Sequence, residues 1–383
     1  MQAKTLLGAT TSEARHTMKR LELLDYGRFI AACFVILYHY TFNGIANGKV
    51  TSIAHTPELI AITKYGYLGV ELFFMISGYV IFYSAANRTA SQFAVSRAQR
   101  LFPCYWFAIL FTTVFAFFWG GDEMSVSLMQ VIVNFTMVQH YLGFANVDGV
   151  YWTLLLEITF YGAIFFLLLF GFQRSLEKIF VAWPWVMCLA LVGGIDDKPL
   201  LGGYYYYFAA GSLFALINQK TSKVALASLL LTLILCMTFS SGKAVALTEI
   251  KQVYHSPYII GAIIFSFFGF FALFYVESIR QLKLPGSTTL GALTYPVYLI
   301  HAHFGYMFIN RFATESNKFL ICALAVSFVL MVAYFMHKVI EQRLAAFWKA
   351  VFSVSVGRPI RTLEALPKTV QLIYFRTVQR FNR

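Results

Sequence analysis

The chain has 383 residues, of which 59% are hydrophobic and 12% are charged, and its formal net charge is +13 at pH 7. Soluble globular domains carry about 25% charged residues, so this composition excludes an ordinary soluble protein. The apolar residues come in runs of about 20, the length of helix that crosses the hydrocarbon core of a bilayer. The sequence therefore predicts an all-α polytopic membrane protein that forms one bundle, and membrane topology explains the positive charge without a nucleic-acid partner.

Ten membrane spans are predicted in chain order. Their approximate limits are 25–45, 65–85, 101–119, 152–171, 178–194, 200–217, 222–240, 257–276, 289–311 and 318–340. The stretch 126–142 is apolar but is interrupted by Asn134, Gln139 and His140, so we expect a re-entrant or interfacial segment there. Residues 1–24 contain no hydrophobic core of signal-peptide length, so we expect a cytoplasmic N-terminal segment without a cleaved signal.

The basic residues are distributed unevenly between the two sides of this bundle. With the N-terminus in the cytoplasm, most of the 30 Lys and Arg residues fall on the cytoplasmic side, as the positive-inside rule requires. If 126–142 were a full span, pairs such as Arg174 and Lys178 would lie outside. We therefore predict both termini in the cytoplasm, a single transmembrane domain over 25–340, and a basic tail, 341–383, attracted to lipid of the inner leaflet.

Several of the predicted spans contain ionisable side chains, which lipid-facing helices would not carry. They are Arg28, His39, Glu71, Glu157 and His301. From the span limits and a rise of about 1.5 Å per residue, the four residues other than Arg28 are predicted to lie in one layer in the outer half of the bilayer. Such a layer indicates a functional site inside the bundle.

A second charged group lies near the predicted cytoplasmic face. Arg97 and Arg100, in SRAQRLFP, are three residues apart and so share one face of the third helix. Arg28 lies at the start of the first helix. Because guanidinium groups bind phosphate through paired hydrogen bonds, these three arginines are candidate binders of a phosphorylated ligand. They would also serve as ordinary positive-inside anchors.

Five segments, taken in order, resemble motifs of the acyltransferase 3 family of membrane acyltransferases. They are LDYGRFIAACFVILYHY (24–40), GYLGVELFFMISGYVI (66–81), RAQRLFPCYW (97–106), VYWTLLLEITFY (150–161) and TYPVYLIHAHF (294–304). Glu71 stands where the family usually has Asp, and Thr153 stands where Ser is common. Glu71 preserves the negative charge and Thr153 preserves the hydroxyl, so both departures are compatible with the chemistry of the family.

The resemblance implies a bacterial inner-membrane enzyme. Its reaction would be transfer of an acyl group, commonly acetyl, from cytoplasmic acyl-CoA to a hydroxyl of a carbohydrate or lipid-linked glycan. The phosphates of acetyl-CoA would be held by Arg28, Arg97 and Arg100. The five cysteines are scattered through apolar segments, so neither a disulfide framework nor a metal site is expected.

His39 is the candidate general base of such a reaction, because a sugar hydroxyl must lose its proton as it attacks the thioester. Glu157 or Glu71 would fix the tautomer of His39 and stabilise the imidazolium that forms. A covalent acyl-histidine intermediate stays open as an alternative.

Four further residues are predicted to contact the acceptor or the acyl-carrying arm: Tyr151, Trp152, Tyr298 and His301. We favour His301 over His303, because residues two positions apart point to opposite sides of a helix. Packing inside the bundle is the alternative role for the aromatic residues.

The main alternative function is a proton-coupled transporter or flippase of a glycan or small solute, since intramembrane His and Glu also serve in proton relays. Transporters of that kind often carry inverted repeats with matched broken helices, and we find no such repeat in the sequence. The acceptor glycan, the acyl group and the oligomeric state stay open.

Overall fold

The computed structural model describes residues 20–365. Within that range every regular element is helical, which confirms the predicted all-α class. Eight helical segments are long and apolar enough to cross a membrane. The chain is therefore a multi-pass membrane protein. Most of the predicted N-terminal segment, up to residue 19, and the last part of the predicted tail, 366–383, lie outside the described residues.

Long helices joined by short turns form the framework. Numbered in chain order, they are α1 (Glu22–Tyr38), α2 (Gly69–Ala86), α3 (Ala90–Trp119), α4 (Trp152–Leu169), α5 (Leu176–Val192), α6 (Tyr205–Gln219), α7 (Lys223–Lys251), α8 (Pro257–Ala272), α9 (Ser287–Ile300), α10 (Ala302–Phe312), α11 (Lys318–Phe335) and α12 (Ala345–Phe352). Shorter α-helical pieces are Gly44–Ala46, Pro57–Thr63, Gly121–Met124, Leu128–Asn134 and Glu277–Arg280. Turns of 3₁₀ helix are Gly66–Leu68, Gln139–Leu142, Gly149–Tyr151, Phe172–Ser175 and Leu273–Tyr275, and π-helical turns are His39–Asn43, Met336–Arg343 and Ser353–Gly357.

Two of the ten predicted spans form shorter helices than expected. The span predicted at 200–217 contains α6, which has 15 residues. The span predicted at 289–311 is divided at His301 into α9, with 14 residues, and α10, with 11. At about 1.5 Å per residue, none of these three helices alone reaches across a bilayer core.

The chain between α3 and α4 does not cross the bundle, as the interruption of 126–142 by polar residues predicts. It contains the helix Leu128–Asn134, which has only 7 residues. Asn134 holds this segment together, because its side-chain amide donates to the carbonyl oxygens of Gln130 and Ala145 at 2.8 and 2.9 Å. Its side-chain oxygen accepts from the amide of Val147 at 3.0 Å. The polar residue that interrupts the apolar run therefore closes a loop.

Helices α2 and α6 pack closely through two glycines. A Cβ added to Gly78 would collide with the carbonyl oxygen of Phe208, and one added to Gly211 would collide with that of Met75. Small residues allow such close backbone approach between membrane helices. The hydroxyl of Ser212 donates to the carbonyl of Gly78 at 3.1 Å. This contact fixes α2, which supplies walls to both cavities of the site described below.

The first part of the predicted tail is helical and packs on α3. The ring of Trp348, in α12, lies 5.9 Å from that of Trp106 between centroids. Further along, the side chain of Glu364 accepts a hydrogen bond at 2.9 Å from the amide of Ser91, in the first turn of α3. The tail thus covers the start of the helix that carries Arg97 and Arg100.

Candidate active site

Two neighbouring cavities lie inside the bundle. The arginine cavity has a volume of about 490 Å³ and the histidine cavity one of about 180 Å³. Val70 of α2 and Tyr298 of α9 line both. The hydroxyl of Tyr298 lies 2.9 Å from that of Thr153, at the start of α4. This tyrosine and its partner therefore form part of the wall between the two cavities.

The arginine cavity brings together the three predicted phosphate binders, Arg28, Arg97 and Arg100. A capping box begins α3: the side chain of Thr89 accepts from the amide of Gln92, and the side chain of Gln92 accepts from the amide of Thr89. This box fixes the helix start, and the spacing of three residues then places both arginines of α3 on the cavity side.

Arg97 has no carboxylate partner within residues 20–365. Its guanidinium lies over the rings of Phe93 and Tyr161, 5.9 and 5.7 Å from their centroids. It donates to Ser96 at 3.1 Å, but its buried Nε has no partner in the described part of the chain. An arginine held between aromatic rings with unused donors is well suited to an anionic ligand.

Arg100 is already paired. Its Nη1 lies 2.8 Å from Oε1 of Glu341, and the other oxygen of that carboxylate lies 2.8 Å from Nδ1 of His337. Glu341 belongs to the π-helical segment Met336–Arg343. An anionic ligand at Arg100 would therefore share or displace this carboxylate. Arg28 makes a longer contact, 3.4 Å, with Asp25 on its own helix.

Glu157 lies in the arginine cavity, not beside His39 as we predicted. Its Oε1 accepts from the hydroxyl of Ser77 at 3.1 Å and from that of Tyr161. The depth estimate was wrong because it placed the start of α4 at the membrane surface, whereas Trp152, the first residue of α4, already lines the histidine cavity. Glu157 is five residues further along, about 7.5 Å of helical rise.

His39 lines the histidine cavity, and its Nδ1 is hydrogen-bonded to the hydroxyl of Tyr306. That hydroxyl accepts from the side-chain amide of Asn43 at 2.9 Å, and the side-chain oxygen of Asn43 accepts from Tyr38 at 3.1 Å. The predicted orientation of His39 by a glutamate is wrong, because a tyrosine of α10 occupies that position. Nε2 makes no hydrogen bond in the described part of the chain and stays free for chemistry.

His301 contacts His39 and does not line either cavity. The two ring centroids are 5.0 Å apart. His301 is fully buried, and its Nδ1 donates to the carbonyl of Tyr298 at 2.8 Å. The structure therefore places this predicted substrate contact outside both cavity walls, with its ring packed against that of His39.

His303 points elsewhere, as its spacing from His301 predicts. Its Nε2 accepts from Lys49 at 2.7 Å and from the amide of Gly149 at 3.2 Å. Its own amide donates to a carboxylate oxygen of Asp148 at 2.9 Å. Burial lowers the pKa of Lys49, which lies in the loop after the first span, and nearby Asp148 opposes this shift. These contacts fix the turn that leads into α4.

Glu71 is fully buried and pairs with Lys243, at 3.1 Å between Oε1 and Nζ. Lys243 also donates to the hydroxyl of Tyr204 and lines the histidine cavity, whereas Glu71 lines neither cavity. The sequence prediction missed this lysine because it ended the seventh span at residue 240. Helix α7 continues to Lys251, and its polar last turns are part of the bundle.

The predicted aromatic contacts are divided between cavity wall and packing. Trp152 and Tyr298 line the histidine cavity. Tyr151 is fully buried against Tyr105, with 5.0 Å between ring centroids, and lines neither cavity. The adjacent residues Tyr151 and Trp152 therefore have different roles, the first in packing and the second in the wall.

Comparison with known proteins identifies the kind of protein to which these cavities belong. A family model described as an acyltransferase domain, the acyltransferase 3 family, matches residues 21–337. The chain belongs to this family. It is similar to Nodulation protein 10 of Rhizobium leguminosarum bv. viciae, at 25% identity over 166 residues. That match covers 38% of this chain and 44% of the relative, so less than half of the relative's length is spanned. No solved structure is detectably similar to the chain.

The matched range includes every charged residue of both cavity walls except Arg20. Glu341, the partner of Arg100, lies beyond the matched range and lines neither cavity. The chain is thus a multi-pass membrane protein of the acyltransferase 3 family. Acyl transfer needs a donor, an acceptor and a group that handles a proton. Two cavities with a shared wall, and a histidine in the smaller one, are an arrangement that can meet all three needs.

Proposed function

We propose that the chain is an acyl-CoA-dependent O-acyltransferase of a bacterial inner membrane. It moves an acyl group, most simply acetyl, from cytoplasmic acyl-CoA to a hydroxyl of a cell-surface or lipid-linked glycan. The observation that carries this proposal is the shared wall: four arginines, including Arg28, Arg97 and Arg100, line one cavity, His39 lines the next, and Val70 and Tyr298 belong to both.

The arginine cavity is the proposed donor site. Arg97 offers donors that no carboxylate uses, and Arg28 and Arg100 lie around the same space. The nucleotide phosphates of acyl-CoA would bind there, and the flexible arm would carry the thioester past Tyr298 toward His39. Asp25 and Glu157 in the same wall limit the net positive charge of the cavity. The cavity would therefore bind the phosphates of the donor without binding every small anion strongly.

The chemical step needs one base and two proton transfers, one to that base and one from it. With Nδ1–H of His39 donating to the oxygen of Tyr306, Nε2 holds a lone pair and accepts the proton of the acceptor hydroxyl as its oxygen attacks the thioester carbon. The carbon–sulfur bond then breaks, and the imidazolium returns the proton to the departing CoA thiolate. Each product is complete: an ester and a free thiol. An acyl-histidine intermediate would use the same nitrogen.

The proposed topology has both termini in the cytoplasm. It follows from the positive-inside distribution of the basic residues. In this orientation the arginine cavity faces the cytoplasm, where acyl-CoA is made, and the histidine cavity lies toward the outer leaflet.

Acetyl-CoA labelled in the acetyl group tests the proposal. Membranes that contain the protein are expected to transfer label to a glycan or lipid-linked sugar and to release free CoA. Mass spectrometry of surface glycans, with and without the gene, is expected to show one acyl mass lost from each acceptor unit. Uptake of a solute with no acylated product would contradict the proposal and favour the transporter.

A further inference from the structure

We infer that Lys243 binds the acceptor in the histidine cavity, and that the sugar unit which enters this cavity carries no net charge. The inference rests on the proposed function, because it assumes that the histidine cavity receives the acceptor. It adds a specificity-determining residue and a substrate class that the family match does not supply.

The ammonium group of Lys243 is held in place with one hydrogen to spare. It donates to Oε1 of Glu71 at 3.1 Å and to the hydroxyl of Tyr204. It also lies 4.7 Å from the ring centroid of Tyr67 and 4.4 Å from that of Tyr204. An ammonium group has three hydrogens, so two protein acceptors leave one for a ligand. Because Lys243 lines the cavity, that hydrogen is available to a ligand oxygen there.

The charge of this pair decides which ligand fits. Glu71 is fully buried and Lys243 is 23% exposed. An ammonium paired with a carboxylate forms an ion pair with no net charge. An acidic sugar would bring a second carboxylate to an ammonium that already has one, in a site shielded from water, and two carboxylates that share one site repel each other. A hydroxyl or an amide carbonyl of a neutral sugar would accept the same hydrogen bond without this penalty.

The size and lining of the cavity agree with a single sugar unit. Its volume of about 180 Å³ equals about six waters at ~30 Å³ each, which leaves room for one six-membered ring and not for two. Trp152 and Tyr204 lie 4.9 Å apart between ring centroids and both line the wall. Aromatic faces pack on the apolar C–H faces of sugars, and Asn43 adds an amide beside His39.

A panel of simple acceptors tests the inference on the purified full-length protein. Methyl glucoside, methyl N-acetylglucosaminide and methyl glucuronide are each supplied with acetyl-CoA, and free thiol and acetylated glycoside are measured. The two neutral glycosides are expected to be acetylated, and the glucuronide at less than about a tenth of their rate, the effect of about one unfavourable charge contact.

Variants of the ion pair locate the effect. Lys243→Met is expected to raise the KM of the neutral glycosides by about tenfold, the loss of one charge-assisted hydrogen bond, while the KM of acetyl-CoA changes less than twofold. Because Lys243→Met leaves Glu71 unpaired, the double variant E71Q/K243M, with a neutral wall, is measured beside it and is expected to show the same rise. Lys251→Met, on the same helix but outside the cavity wall, is the matched control.

Glu71→Gln tests the charge argument in the opposite direction. It leaves the ammonium uncompensated, so the glucuronide is expected to gain about tenfold relative to the glucoside in kcat/KM. Equal use of glucuronide and glucoside by the unaltered protein would overturn the inference. So would an unchanged glycoside KM in both lysine variants, or acetyl-CoA consumption with no neutral glycoside acetylated. If acetyl-CoA is not consumed with any acceptor, the proposed function fails first and the inference fails with it.

Discussion

The arginine cavity and the histidine cavity differ in volume, in charge and in how their polar groups are paired. The first is about 490 Å³ and has four arginines and two carboxylates in its wall, and one of these carboxylates, Asp25, pairs with Arg20 and Arg28. The second is about 180 Å³, is mainly aromatic, and its lysine is neutralised by a residue behind the wall. A polyanionic donor and a neutral acceptor need such different surroundings, and a shared wall lets their reacting ends meet.

Arg97, Arg28 and Arg100 differ in how closely each is paired with a carboxylate. Arg97 has unused donors, Arg28 has a long contact with Asp25, and Arg100 has a short pair with Glu341. In the histidine cavity, the proposed chemistry uses a single ring, that of His39. One chain of hydrogen bonds through Tyr306 and Asn43 fixes the orientation of this ring. Donor binding should therefore decline in steps when arginine contacts are changed, whereas chemistry should depend on one residue.

The largest effect is expected from His39→Ala. Loss of a positioned base should lower kcat by about 10²–10⁴-fold, while the KM of acetyl-CoA stays nearly constant because His39 is not in the arginine cavity. Free-thiol release measures both. His140→Ala, at an exposed histidine between α3 and α4, is the control. Undiminished transfer in the His39 variant, with the protein still folded, would remove the general-base assignment.

Arg97→Ala should act on the donor side. Loss of charge-assisted hydrogen bonds, worth about 1.5–3 kcal/mol, corresponds to a rise of about ten- to a hundredfold in the Kd of acetyl-CoA. Calorimetric titration with the purified protein measures it, beside the exposed-site control Arg174→Ala. If donor affinity is unaltered, the arginine cavity is not the phosphate site.

Tyr306→Phe should lower kcat by about two- to tenfold, the value of one neutral hydrogen bond, because Nδ1 of His39 loses its partner. The KM of acetyl-CoA should not change. Steady-state kinetics at saturating acceptor separate the two constants. A variant in which only the donor KM moved would show that Tyr306 belongs to the donor side, and would break the distinction between the cavities.

The smallest effect is expected from Glu341→Gln, and it is a gain. Removing a half-buried carboxylate that pairs with Arg100 should lower the KM of acetyl-CoA by up to about fivefold, since such pairs contribute up to about 1 kcal/mol. Glu315→Gln, which breaks the Lys318 pair outside both cavities, serves as the reference. Weaker donor binding after the change would mean that Glu341 supports the site instead of competing for it.

Helical periodicity was sufficient to predict the donor side of the site. Arg97 and Arg100 share a face because of their spacing, and Arg28, in the second turn of α1, lines the same cavity. The same reasoning places His39 and His301 together, and their rings are in fact in contact. Composition and apolar runs were likewise enough for the all-α membrane class and for the interruption near Asn134.

The other features of the site could not be predicted, because they depend on where helices end and on contacts between distant helices. Glu157 was assigned to the wrong cavity because the start of α4 already lines the histidine cavity, and Glu157 lies further along that helix. Lys243 was assigned to a loop because the last turns of α7 are polar, although Glu71 compensates the lysine charge. Tyr306 reaches His39 from α10, the helix that follows α9, and no local sequence pattern marks this contact between distant helices.

The widened turn at His39–Asn43 has a consequence for how the first helix can vary. There the amide of Gly44 bonds to the carbonyl of His39, five residues back, so the turn holds one residue more than an α-helix needs. Deleting a single codon between these two residues would give a regular helix and rotate everything that follows by about 100°. The side-chain amide of Asn43 would then no longer donate its hydrogen bond to the hydroxyl of Tyr306. The first helix thus retains an insertion that an ordinary membrane anchor would be free to lose.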